Sequence, residues 1–390
     1  MHIKKIKLIF ILLFFCITYI YSKNFPETII KVAILIDVNN VNISCEDEYF
    51  LYNMQTGEIV ELDHKNNILV EINKSGILLN NTQINTNFIR LVSKKDNCFI
   101  YINGKRYRDS ILIKKNKNNK ITVINELGLE GYLYGILPRE VDDGWKIEAL
   151  KAQAVISRTY AVNNLTKHEK DGFNFCNTVH CQVYSGVESE KPETNKAVNL
   201  TKGEILTYNG KTVNSLYHAC CGGHTENPKY IWNSYNDPPE YLNGVVCKYC
   251  KNSPHYSWTK TIDENLILEK LHKYGYKQIK KIKKIFVSDK TPSNRYRYIK
   301  IKYISSNDDN NILTFPADRF RLIIDPWLIK STKIKSIIKQ DTKFQFSGYG
   351  WGHGVGLCQW GAKVMADEGY NYKQILKYYY PNTDIQKYEY

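Results

Sequence analysis

The chain has 390 residues, 43% of them hydrophobic and 24% charged, an ordinary globular balance that excludes wholesale disorder. At roughly 100–200 residues per domain, that length suits two or three domains. A formal net charge of +15 favours an anionic partner, nucleic acid or cell-envelope polymer, without choosing between the two.

Residues 1–22 bear on that choice. Lys4, Lys5 and Lys7 precede an apolar run over residues 8–21, and Ser22 is small enough for a cleavage site. This is the layout of a secretory signal peptide. The run is shorter than the about 20 residues a membrane-spanning helix needs. A retained anchor is the alternative, because Ile20 is an imperfect residue at −3. Cys16 invites lipidation, but the bulky Phe15 before it does not suit a lipobox. The expectation is export to the periplasm or the outer face of the cytoplasmic membrane, with membrane contact only through the signal or an uncleaved anchor. Export makes nucleic acid an unsuitable partner.

From residue 31 to 125 short alternating apolar runs are broken by turn residues, as at Thr56-Gly57 and Asn103-Gly104, so many short strands are expected. Nothing there gathers acid, base and nucleophile. Near Leu127 the period becomes helical. A short apolar segment over 130–138 is expected to stop at Pro138, with Asp142 or Asp143 capping a helix over 147–164. Its apolar side carries Ile147, Leu150 and Ala154, and Lys151, Val155 and Arg158 fall on an adjacent stripe. Residues 200–260 return to strands and turns, with Asn209-Gly210 as a hairpin signal. Residues 263–340 combine one helix near 264–274 with Lys-rich strands and read as an insertion, and residues 341–390 are glycine-dense, then helical. The fold class is α+β: a β-rich N-terminal region (23–125), a mixed catalytic core (126–262), an inserted α/β subdomain, and a Gly-rich turn with a C-terminal helix completing the core.

Beyond the leader an odd number of cysteines remains, so at least one is free, metal-bound or intermolecular. His168, Cys176, His180 and Cys181 form one possible four-ligand set, and His218, Cys221, Cys247 and Cys250 a second. Zinc takes such ligands tetrahedrally, usually as a closed structural site. For each set the rival is a disulfide beside a surface histidine.

Three blocks carry a resemblance. The first is YLYGILPRE over residues 132–140, followed by Trp145 and EALKAQAVISRTY over 148–160. The second holds HCQVY over 180–184, TKG over 201–203 and YHACCGGHTE over 217–226. The third is GYGWGHGVGLCQWGA over 348–362, ending in YYYP over 378–381. Together they resemble the SpoIID/LytB family of exported peptidoglycan-acting proteins, and NGKRYR over 103–108 resembles that family's approach to its first block. The resemblance implies a lytic transglycosylase that cleaves the MurNAc-β-1,4-GlcNAc bonds of peptidoglycan glycan strands without water, leaving 1,6-anhydro ends.

A glycosidase that adds water normally needs two carboxyl groups, whereas internal attack by the sugar's own C6 hydroxyl needs one acid that then serves as base. Glu140 stands at the family's catalytic position. Lys151, Gln153, Arg158 and Tyr160 are candidates to contact glycan or to brace the loop bearing Glu140. Gln182 and Tyr184 follow the first Cys/His set, where a structural zinc would pin them. His353 and Gln359 could donate to sugar hydroxyls while Trp351 and Trp360 stack on sugar faces, or the block could be a buried turn. The alternating glycines there do not spell a nucleotide-binding fingerprint. Two other functions remain open: a non-catalytic glycan-binding modifier of a cell-wall amidase, and a metal-dependent hydrolase using one Cys/His set.

Overall fold

A computed structural model describes residues 28–60, 67–95 and 98–389. The leader-like segment 1–22, with Cys16, lies outside the described residues. The chain divides into two compact units. The first comprises the residues up to Asp143, then Ala161–Glu204 and Lys387 onward; the second comprises Gly144–Tyr160 and Ile205–Gln386. Among the described residues no helix is long and apolar enough to cross a membrane. The α+β class holds, with mostly antiparallel pairing in several separate sheets.

The first unit is built on two six-stranded sheets. One runs in the order Phe175–Cys176, Ile29–Val38, Ile121–Gly128, Ser110–Lys115, Phe88–Ser93, Tyr49–Asn53. The other contains the short strands between Asn40 and Tyr107 that alternation predicts, Ile68–Asn73 and Ile100–Ile102 among them. Ile121–Gly128 sits inside the first sheet with every residue buried. It carries Glu126, whose charge is tolerated there because Arg90 grips both its oxygens, at 2.7 and 3.1 Å.

That strand runs straight into helix α1 (Leu129–Glu140). Pro138 lies inside α1 and does not stop it, contrary to the sequence expectation. Proline's missing N–H costs one bond in the last turn, and the turn still closes because the Val141 N–H reaches the Leu137 carbonyl at 3.1 Å. Helix α2 (Ile147–Asn163) follows the predicted bounds to within one residue. Helix α3 (Pro192–Leu200) completes the helices before the second sheet-rich stretch.

The second unit has two hydrophobic cores. One gathers α2 residues such as Ala152 and Ile156 with helices α6 (Gln359–Asp367) and α7 (Tyr372–Tyr379). The other lies among α4 (Glu264–Lys273), α5 (Ala317–Ile324) and the three-stranded sheet Ile279–Lys290, Tyr296–Ser305, Asn310–Pro316. Three features exceed the sequence reading: α3, α5 after Pro316, and a division of the C-terminal helical stretch into α6 and α7. These helices are each eight or nine residues long. At that length tertiary packing, not local pattern, decides whether a helix forms.

Candidate functional site

In the first unit, three contacts fix α1 and thereby the backbone that ends in Glu140. The Tyr132 hydroxyl donates to Gln182 Oε1 at 3.2 Å, and Ser189 Oγ donates to the Gly135 carbonyl at 2.8 Å. The Tyr184 ring lies against Gly135 so closely that a Cβ there would stand 2.4 Å from Tyr184 Cε2. Tyr184 is itself held by a hydrogen bond from its hydroxyl to Asn125 Oδ1 at 2.6 Å, and burial pushes its phenol well above the ordinary range. Gln182 and Tyr184 are both buried, so here they brace α1. Glu140 is the last residue of α1 and half-buried, next to exposed Arg139.

Directly before Gln182 the first Cys/His set is assembled. The ligand atoms of His168, Cys176, His180 and Cys181 lie within 4.8 Å of one another. His168 Nε2 is 3.3 Å from His180 Nδ1, and the Cys176 and Cys181 sulfurs are each 3.7 Å from that same nitrogen. Asp171 Oδ2 sits 3.1 Å from His168 Nδ1. A carboxylate there sets the tautomer that leaves Nε2 as a lone-pair donor, the usual support of a metal-bound imidazole. Burial raises the Cys176 thiol, but hydrogen bonds from Thr178 outweigh it and bring the thiol below its ordinary value. Burial carries Cys181 up to about 11. The set could hold a metal ion, and its two sulfurs and two imidazoles suit zinc. None of the described cysteines is disulfide-bonded.

In the second unit α2 is buried nearly all round, and its polar residues are spent inside the fold. Gln153 Nε2 donates to Ser157 Oγ at 3.2 Å, and Gln359 Nε2 donates to Gln153 Oε1 at 3.4 Å, joining α2 to the start of α6. Arg158 is fully buried. Lys151 bonds Glu148 Oε1 at 2.7 Å, with its ammonium 4.3 Å from the Tyr372 ring centroid. Tyr160 keeps part of its surface open.

His353, in the Gly-rich turn, is half-buried. Its Nδ1 accepts the Val355 N–H at 3.1 Å, which leaves the proton on Nε2, and its ring meets Trp232 and His218 at centroid distances of 5.3 and 5.6 Å. Desolvation, aided by Arg321 and Arg295 and opposed by Asp318, lowers it to about 4, so it is neutral at physiological pH.

The second metal-ligand set differs from the expected one. Cys221, Cys247 and Cys250 come together, but the fourth member is Cys358 and not His218. His218 Nδ1 instead lies 3.1 Å from the Val355 carbonyl. Parallel pairing of Tyr217–His218 with Leu357–Cys358 brings in a cysteine 137 positions beyond Cys221. No local spacing could announce it.

Residues 117–208, which include Glu140 and the first Cys/His set, match the family model described as Stage II sporulation protein. Residues 240–356 match a domain family of unknown function. An uncharacterised protein of Brachyspira hyodysenteriae is 34% identical over 364 residues, spanning 93% of this chain and 94% of its own length. The amidase enhancer of Bacillus subtilis is 32% identical over 66% of this chain, which matches 40% of that protein. Stage II sporulation protein D of Bacillus subtilis is 29% identical over 68% of this chain and 76% of its own length.

Proposed function

Because the chain belongs to the SpoIID/LytB family, we propose that it acts at the cell envelope as a peptidoglycan lytic transglycosylase, with Glu140 as its single acid and base. The observation that carries the reading is the placement of Glu140: within the family-matched stretch, on the last turn of a helix clamped by Gln182, Tyr184 and Ser189. Neutral Glu140 protonates the oxygen between MurNAc and GlcNAc as the bond to C1 breaks. Ionised Glu140 then takes the proton of the MurNAc C6 hydroxyl as that oxygen bonds C1. The product is a 1,6-anhydro end, no water is consumed, and the carboxyl is restored.

In this reading Lys151, Tyr160 and His353, each with some open surface, contact glycan, whereas Gln153, Arg158, Gln182, Tyr184 and Gln359 hold the helices in place. A zinc ion on His168, Cys176, His180 and Cys181 would be structural, since four protein ligands leave no open position for water. Its task would be to anchor the segment that delivers Gln182 and Tyr184 to α1.

Glu140→Gln should keep the fold and sacculus binding while anhydromuropeptides vanish from mass spectra of digested sacculi; undiminished anhydro product would remove Glu140 from the mechanism. The likeness to the amidase enhancer favours a second reading, a non-catalytic protein that binds glycan and stimulates a cell-wall amidase. Under it, neither form yields anhydro ends and both accelerate peptide release by an added amidase.

A further inference from the structure

We propose that Cys221, Cys247, Cys250 and Cys358 bind one zinc ion as a closed tetrathiolate site that holds the core of the second unit together. The four sulfurs lie within 4.8 Å of one another, with Cys221 and Cys250 3.4 Å apart. Four thiolates placed tetrahedrally about zinc at Zn–S distances of about 2.3 Å stand about 3.8 Å apart, inside that spread. The spacing suits a single ion and is too tight for a multi-iron cluster with its own inorganic core. All four cysteines are at most 2% exposed. Water has no route to a fifth position, so the site is structural and separate from any chemistry on glycan.

The ligands come from three segments: the turn after Tyr217–His218, the stretch of Cys247 and the 3-10 turn Tyr249–Asn252, and the strand Leu357–Cys358 that leads into α6. Only Cys247-x2-Cys250 is local. A metal would therefore cross-link segments that a chain of this length brings together at large loop-closure cost.

The surroundings suit thiolates. The Cys221 N–H donates to Cys358 Sγ at 3.2 Å, and the Tyr379 hydroxyl lies 3.2 Å from Cys247 Sγ. Such donors to sulfur are the outer support of metal-bound cysteine.

Positive charge gathers beside the four sulfurs. Arg295 is fully buried and gives Nη2 to the Cys221 carbonyl at 2.9 Å, while its Nε and Nη1 have no hydrogen-bond partner among the described residues. Lys333 gives Nζ to the Gly222 carbonyl at 2.8 Å. Buried cations are costly unless an anion faces them. Glu226 supplies one negative charge nearby, though its oxygens already accept from Thr291, Ser293 and the Asn227 N–H. Four neutral thiols would leave this pocket with an excess positive charge. A divalent ion on four thiolates brings a net charge of −2 to the backbone that Arg295 and Lys333 grip.

The test uses the full exported chain, purified without chelator, and begins with metal analysis of the wild type beside Cys181→Ser, which removes a ligand of the other set. The Cys181→Ser chain should retain one zinc per molecule, and Cys358→Ser introduced on that background should lose it. If Cys358→Ser fails to fold, the wild type decides the matter: under denaturing, non-reducing conditions with chelator, peptides bearing Cys221, Cys247, Cys250 and Cys358 should all alkylate as free thiols. Disulfide-linked peptides among these four would overturn the site. So would iron in place of zinc, or unchanged zinc in a folded Cys358→Ser chain.

Discussion

At the scale of single residues, Gly135 and His353 are the positions where structure makes the sharpest demands. Gly135 is helical, and it is there because any Cβ would drive into the Tyr184 ring, 2.4 Å from Cε2. Gly135→Ala should therefore destabilise the protein by about 1–3 kcal/mol through overpacking, although alanine is the better helix former. Urea unfolding measures it, and a stabilised variant would mean that Tyr184 is free to move aside. His353 makes a statement about pH. Its folded value of about 4 lies below the ordinary 6.5 because burial disfavours the imidazolium, and buried His218 is shifted in the same direction. Between those two values the unfolded chain binds a proton that the folded chain refuses. Stability is thus whole above about pH 6.5, falls as pH drops towards 4, and gains no further loss from His353 below that. His353→Gln should flatten part of that slope in urea midpoints measured across the range.

At the scale of elements, the short C-terminal helix α7 depends on its start. Asn371 accepts the Gln374 N–H at 3.0 Å and Gln374 Oε1 accepts the Asn371 N–H at 2.9 Å, a reciprocal capping box. Below it the helix buries Tyr372, Ile375, Leu376 and Tyr379. Asn371→Ala should cost about 1 kcal/mol, read from thermal or denaturant unfolding. The segment from His168 to Ser189 is a second such case. It has little regular structure, only two short 3-10 turns and a two-residue strand, yet it supplies the side chains that clamp α1. If zinc on the Cys/His set orders it, chelation should raise amide exchange across residues 168–184 while Ile121–Gly128 stays protected. Uniform protection with and without chelator would leave the clamp to Tyr132, Asn125 and Gly135 alone.

At the scale of the whole molecule, the proposed binding to an anionic wall polymer carries a salt dependence. A chain of net charge +15 that binds an anionic wall polymer should do so less well as salt rises, because exposed charges are screened beyond a Debye length of about 10 Å at 0.1 M ionic strength. Pelleting with isolated sacculi at low and high salt should show the bound fraction falling for wild type and Glu140→Gln alike. A salt-insensitive interaction would shift the weight of recognition to apolar and hydrogen-bonded contacts with the sugar rings.

What the sequence determined by itself was whatever is written in neighbouring residues. Alternation marked the strands between residues 31 and 125, a helical period marked α2, the Leu137-Pro138-Arg139-Glu140 stretch pointed to the family, and close spacing assembled His168, Cys176, His180 and Cys181. Tertiary structure alone decided the rest. Pro138 remains helical because its turn can close on Val141. Gln153, Gln182, Tyr184 and Gln359 are drawn inside by partners far along the chain. Cys358 takes the place assigned to His218 because a parallel strand pairing brings it to Cys221 from 137 positions along the chain. Local pattern reports which face of an element is apolar. Which distant polar group meets which is settled only when the core closes, since a buried donor or ligand must find its partner wherever the fold has placed one.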